Sequence, residues 1–295
     1  MGRGKAKATM ELVEAARDFL EINAPATVRS CCYQLFINGY IKNMGRNETN
    51  KVSRHLVWAR EEGIIPWSWI VDESREGERQ ASWNNPQELI EAAVSQYRRD
   101  YWQDQAVELE VWSEKGTVRG TLWPVLRKYG VTFRVMHGYT SATTIQSFAS
   151  SSANSEKPIH ICYVGDWDPS GMAMSEIDIP TRLERYGGRA HFERIAIVES
   201  DTRTGLPYFD ANTKKGDSRH KWFVEKYGSK CWELDAMSPN ILRQRVEEFI
   251  VGHLDLDLWN RAVKVEAAEV ESMQAITSRI QEIISGQASK YGDGA

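Results

Sequence analysis

The sequence predicts an α/β protein: a helical N-terminal part, then a mainly parallel sheet covered by helices, then a helical C-terminal tail. Three observations carry this. Helical periodicity dominates up to about residue 62. From Val107 onward, short apolar runs alternate with helical segments, the pattern of βαβ units. One of those runs, Ile159-His160-Ile161-Cys162-Tyr163-Val164, breaks into Gly165-Asp166-Trp167-Asp168-Pro169-Ser170-Gly171, placing two carboxylates where strand gives way to helix.

The first helix spans residues 11–23, with Leu12, Ala15, Ala16, Phe19 and Leu20 at helical spacing. Pro25 separates it from a second helix, capped by Thr27 and running to about Tyr40. A third covers about 48–62 and ends near Gly63. Residues 64–70 read as extended apolar chain and 72–80 as a polar loop. Three short helices followed by an extended hairpin resemble a winged-helix DNA-binding unit, with a generic helical cap as the alternative. A helical linker at about 86–102 leads to strands at 107–113, 131–136, 159–164 and 190–198. Helices fall between them, up to Tyr129, at 142–149 and at 170–186. Segments 150–157 and 201–219 read as polar loops. The tail, 239–285, reads as helical, with Val270, Met273, Ile276, Ile280 and Ile283 on one apolar stripe. The expected division is a winged-helix domain at 1–85, a linker at 86–106 and the α/β domain with its C-terminal helices at 107–295.

At 295 residues the chain holds one large domain or two ordinary ones. No apolar run reaches the length of a membrane span, so no membrane partner is expected. The basic N-terminus is followed by no signal-like apolar core. The four cysteines, Cys31, Cys32, Cys162 and Cys231, have no zinc-like spacing and read as reduced thiols of a cytoplasmic protein. The formal net charge of −4 does not advertise nucleic-acid binding, and the local distribution of charge matters more. Lys42, Arg46, Lys51, Arg54 and Arg60 share one stretch with a single acid, Glu48, and Lys214, Lys215, Arg219 and Lys221 form a second cluster. Both read as DNA-backbone contacts or as solvated surface.

Two carboxylates one residue apart repel unless a cation neutralises them, and Mg²⁺ takes a few carboxylates plus water and phosphate oxygens. Ligands of an open α/β sheet bind at the C-terminal ends of its strands. A calcium loop of the EF-hand type also opens Asp-x-Asp-x-Ser-Gly, but its twelfth position needs Glu and here holds Ile177. The first strand of the α/β part ends at Glu114-Lys115-Gly116, which puts Glu114 on the same sheet edge as Asp166 and Asp168. Lys115 is placed to contact phosphate or to pair with a carboxylate. Glu233 and Asp235 either join a second metal or shape the sheet edge. His137 reads as a packing residue at a strand end.

A Glu after one strand and Gly-Asp-x-Asp-Pro-x-Gly after a later one resemble the Toprim domain, a Rossmann-like fold, of type IIB topoisomerase A subunits and their meiotic double-strand-break relatives. The stretches Ala59-Arg60-Glu61-Glu62-Gly63-Ile64-Ile65-Pro66-Trp67 and Trp232-Glu233-Leu234-Asp235-Ala236-Met237 look like the small single-chain relatives of phages and mobile elements. The resemblance implies Mg²⁺, or Mn²⁺ in its place, held by Glu114, Asp166 and Asp168. It also implies a nucleophilic tyrosine four residues after an arginine; Arg29-Ser30-Cys31-Cys32-Tyr33 offers Tyr33, with Cys32 where an aromatic often stands. At about 100° per residue, Tyr33 lies roughly 140° from Val28, beside Arg29 and off the main apolar stripe. The implied activity is cleavage and rejoining of double-stranded DNA through a 5′-phosphotyrosyl enzyme, by a homodimer bound at the nucleoid. The alternatives are a Toprim nuclease that hydrolyses DNA without Tyr33, and a non-catalytic DNA-binding assembly subunit. The chain carries no P-loop, so any ATP step falls to a separate ATPase B-type subunit.

Overall fold

The computed structural model describes residues 7–71, 82–136 and 142–292. The polar segment 72–80, the residues His137, Gly138 and Tyr139, and the side chain of Ile283 lie outside the described residues. The chain divides into two compact units, one drawn from residues 1–74 and 107–253, the other from 75–106 and 254–295. The contacts therefore group the helical N-terminal part with the sheet, and the linker with the last helix.

The first unit opens with α1 (Lys7–Asn23), β1 (Ala26–Thr27), α2 (Val28–Ile37) and α3 (Arg46–Glu61). The apolar faces of the three helices bury Leu12, Ala16, Leu20, Cys31, Leu35, Val52 and Leu56 in one core. Thr27 caps α2, its hydroxyl accepting the Ser30 backbone N–H at 3.0 Å. Residues 64–70 are not continuous extended chain: after Pro66 the backbone makes a 3₁₀ turn at Trp67–Trp69. It then enters β2 (Ile70–Val71), which pairs in parallel with β1.

The sheet follows as β3 (Glu108–Ser113), α5 (Thr117–Tyr129), β4 (Thr132–Val135), α6 (Ala142–Asn154), β5 (Ile159–Val164), α7 (Pro169–Ala173), α8 (Ile179–Arg185) and β6 (Ala190–Ala196), with α4 (Pro86–Gln96) preceding it in the second unit. Its strands are all parallel, in the order β4-β3-β5-β6. Trp112, fully buried, anchors one face: its ring meets Phe148 of α6 edge-on at 4.8 Å. On the same side lie Ile145, Ile161, Tyr163 and Leu183. Gly130, at φ +62, ends α5 in the left-handed conformation that glycine adopts freely.

Two stretches differ from expectation. Helix α6 runs through to Asn154, and its polar residues satisfy their side chains on their own helix, Ser151 on Ser147 O at 3.1 Å and Asn154 on Ser150 O at 2.8 Å. The 170–186 helix is interrupted by a π turn at Met174–Asp178, where Pro180 supplies no N–H to the ladder.

After β6 come β7 (Phe209–Asp210), α9 (His220–Tyr227), β8 (Lys230–Cys231) and α10 (Pro239–Gly252). Helix α10 ties the N-terminal helices to the sheet. The Arg243 guanidinium donates to the carbonyls of Asn23 (2.9 Å), Pro25 (3.1 Å) and Thr121 (3.1 Å). Ser238 bonds Asn23 at 2.8 Å.

In the second unit, α4 packs against α11 (Leu256–Gly292). Tyr97 and Arg99 both hold Glu269 at 2.7 Å, and Tyr101 meets Trp259 edge-on at 4.5 Å. Val270, Met273 and Ile280 are half-buried, whereas Ile276 is exposed. Among the described residues, no helix is long and apolar enough to cross a membrane.

Candidate carboxylate site

Strand register builds the site. Ser113, at the end of β3, stands opposite Val164, at the end of β5. Glu114 therefore leaves the sheet beside the Gly165–Asp166 turn. The Asp166 backbone N–H points to Oε1 of Glu114 at 3.4 Å. Asp168 caps α7, its Oδ1 accepting the Gly171 N–H at 2.8 Å, and Pro169 occupies the first helical position. Asp166 and Asp168 are buried, at 6% and 2% exposure.

Lysines neutralise both aspartates. Lys115 Nζ lies 2.9 Å from Oδ1 of Asp166 and 3.0 Å from Oδ2 of Asp235. Lys214 bonds Oδ2 of Asp168. Although burial works against their charged forms, the carboxylates raise both ammonium pKa values above that of free lysine. Glu114 forms no ion pair among the described residues, and the Lys115 charge only partly offsets the effect of its burial. Burial, then the charges of Asp166 and Asp168, push its carboxyl up to about 7.

This has a consequence for stability in chelator-treated protein. Between about pH 4.5 and 7, folded Glu114 keeps a proton that the unfolded chain releases, so stability falls as pH rises through that window. Glu114→Gln removes this penalty. The variant is expected to be more stable than wild type at pH 8, by about 2 kcal/mol, and to show no advantage at pH 4. Thermal unfolding of both proteins at the two pH values checks it; an equal difference at both would refute the assignment.

A single arginine holds the turn in place. Arg194 of β6 donates to Ile197 O (2.8 Å), Gly165 O (2.8 Å), Ser175 Oγ (2.8 Å) and Asp166 O. Nothing in the local sequence distinguishes it from a solvated strand residue. Its role appears only once β6 lies beside β5. Asp166 also accepts the Leu234 N–H at 2.7 Å, which brings the 232–237 segment against the sheet edge.

That segment meets α2. Asp235 accepts the Thr27 hydroxyl at 2.6 Å. Arg29 forks onto Glu233, with Nη2 2.5 Å from Oε1. Glu233 and Asp235 thus shape the sheet edge. Arg29, Lys115, Asp166, Glu233 and Asp235 line one cleft of about 430 Å³.

Tyr33 is buried, at 5% exposure, with its ring 5.8 Å from the Arg29 guanidinium. It shares the electrostatic field of Glu233, Asp166 and Lys115 within the same chain. Burial, then Glu233, push the phenol above its ordinary value, while Arg29 pulls it down by less. Arg29 thus acts in the direction of the phenolate, but it also holds Glu233, and burial with the Glu233 charge outweighs it.

The other predicted bases divide. Lys42, Arg46, Lys51 and Arg54 are exposed on and before α3, and Lys215 is exposed. Arg60 is not part of that surface: it is buried, 4.7 Å from the Trp67 ring centre. Arg219 pairs with Asp217, and Lys214 sits on Asp168.

Among the described residues, no group of three His, Cys, Asp or Glu side chains forms a ready-made metal cluster. Fold and site define an α/β protein whose parallel sheet gathers buried carboxylates and lysines at its strand ends, with Tyr33 of α2 within their electrostatic reach. No protein-family model matches the chain, and no curated protein matches it in sequence.

Proposed function

We propose that this protein cleaves and rejoins DNA by metal-dependent tyrosine transesterification, in the manner of the type IIB topoisomerase A subunits, with a winged-helix-like N-terminal part and a Toprim-like sheet. The observation that carries the reading is the gathering of Glu114, Asp166 and Asp168 at the strand ends, in the same electrostatic neighbourhood as Tyr33.

The donor set fits Mg²⁺. It consists of hard carboxylate oxygens, and two of them already hold ammonium groups in the place of a cation. Glu114, Asp166 and Asp168 would hold the ion, which supplies Lewis-acid stabilisation of the scissile phosphate. The protein's own residues do the rest. The phenolic oxygen of Tyr33 forms a bond to phosphorus as the bond to the 3′ oxygen breaks. Tyr33 loses its proton, and the departing 3′ oxygen gains one. Because burial and Glu233 favour the neutral phenol, attack requires a cation or a base close to the phenolic oxygen when the phosphate is bound. Lys42, Arg46, Lys51, Arg54 and Lys215 are the exposed bases that would take the phosphate backbone. A homodimer would cut both strands.

The protonated, buried phenol and the engaged Arg29 favour a second reading, a Toprim-type nuclease that hydrolyses DNA with water. One experiment separates the two. Supercoiled plasmid is incubated with Mg²⁺ or Mn²⁺ and stopped with denaturant, with and without protease. The expected result is nicked or linear DNA carrying protein on its 5′ ends, lost in Tyr33→Phe and in Asp166→Ala. Undiminished cutting by Tyr33→Phe, alongside a dead Asp166→Ala, would establish the nuclease instead.

A further inference from the structure

Both oxygens of Asp168 are occupied: Oδ1 by the Gly171 N–H at 2.8 Å, and Oδ2 by Lys214. The first bond belongs to the helix cap and cannot be given up without unwinding the start of α7. The second comes from a side chain of a different character. Lys214 ends a 3₁₀ turn, Ala211–Lys214, that follows the two-residue strand β7. Its side chain is 37% exposed, whereas Asp168 is 2% exposed. Lys115, by contrast, leaves the sheet next to Glu114 and is shared by two carboxylates.

We propose that Lys214 is the resident counter-ion of this site. It competes with a divalent cation for Oδ2 of Asp168, and metal loading displaces it and frees its ammonium for a DNA phosphate. The inference rests on the metal-site reading above. The physical reason is charge. A buried carboxylate needs a compensating cation. An ammonium on a flexible four-carbon stem supplies one that withdraws at low cost, and the 3₁₀ turn that carries it is then anchored by the Ala211 N–H to Ser229 O bond at 2.8 Å and by the pairing of β7. Strand β7 pairs only with β8 among the described residues, over two residues of each. Displacement frees the Lys214 ammonium, next in sequence to the exposed Lys215.

The test is Mn²⁺ binding to the full chain, followed by calorimetry and by the loss of the free Mn²⁺ spin-resonance signal. Lys214→Ala and Lys214→Gln are expected to bind Mn²⁺ about tenfold more tightly than wild type, because the competitor is gone. Lys214→Arg keeps the charge and is expected to stay within about threefold of wild type. In wild type, Mn²⁺ is expected to speed amide hydrogen exchange in residues 209–214. Equal or weaker binding by both neutral variants would overturn the inference, as would exchange unchanged by Mn²⁺. Failure of the underlying reading looks different: wild type would bind no Mn²⁺, or Asp166→Asn would bind it as well as wild type.

Discussion

If the protein cleaves DNA as proposed, Gly171→Ala is expected to reduce that metal-dependent cleavage by about a hundredfold or more while leaving a folded protein. A β-carbon at this position would stand 2.3 Å from the Asp166 carbonyl oxygen and 3.4 Å from Oε1 of Glu114. The first contact is with backbone, so no side-chain rotation relieves it. Either α7 backs away or the Asp166 turn does. Gly171 also donates its N–H to Asp168 and accepts from Ser175, so a shift of α7 carries Asp168 with it. All three carboxylates lose their relative placement through one added methyl group. The unfolding cost is that of overpacking, about 2 kcal/mol. Plasmid cleavage and thermal unfolding, measured on the same preparation, check both parts. Wild-type cleavage by Gly171→Ala would mean that the glycine does not set the geometry of the site.

Arg194→Met is expected to cost stability rather than chemistry alone. The methionine keeps most of the stem's packing against the Tyr163 ring, whose centre lies 5.4 Å from the guanidinium. It removes the donors to the carbonyls of Asp166 and Ile197, which sit inside the protein. Gly165 O retains the Ile197 N–H at 2.9 Å, and Gly171 O retains the Ser175 hydroxyl at 3.0 Å. Two carbonyls therefore lose the donor that Arg194 gives them, for a loss of about 3 kcal/mol. Arg194→Lys should recover little, since a single ammonium cannot replace a fork that reaches five acceptors, Gly171 O at 3.3 Å among them. Urea unfolding midpoints of the three proteins check this. A methionine variant as stable as wild type would show that the turn stands without the arginine.

The parallel sheet was legible because its central strands β3 and β5 end in buried, mostly apolar runs, and because helical segments separate the short strands. The position of the Asp166–Asp168 pair followed from the same local logic, as did the Thr27 cap, where one side chain answers a neighbouring N–H. What escaped was contact at a distance. Lys214 reads as one of several surface bases, yet it lies 46 residues from the aspartate it neutralises. Arg194 stands 28 residues from the carbonyl it holds. Arg60 ends an apparently basic helix face, but only the 3₁₀ turn after Pro66 brings Trp67 over it. Periodicity states which face of a helix is basic; it does not state what the next turn will cover.

The bonds of Arg243 bear on how such a chain changes over generations. Its guanidinium reaches the backbone at Asn23 and Pro25, 220 and 218 residues away, and Thr27 reaches Asp235 across 208. The segment that carries Tyr33 is therefore no interchangeable cassette. A recombination event that grafted it onto another sheet would also have to bring a matching arginine and aspartate from the far end of the gene. Substitutions in the Tyr33 segment and at Arg243 or Asp235 are therefore expected to be coupled in their effect on stability.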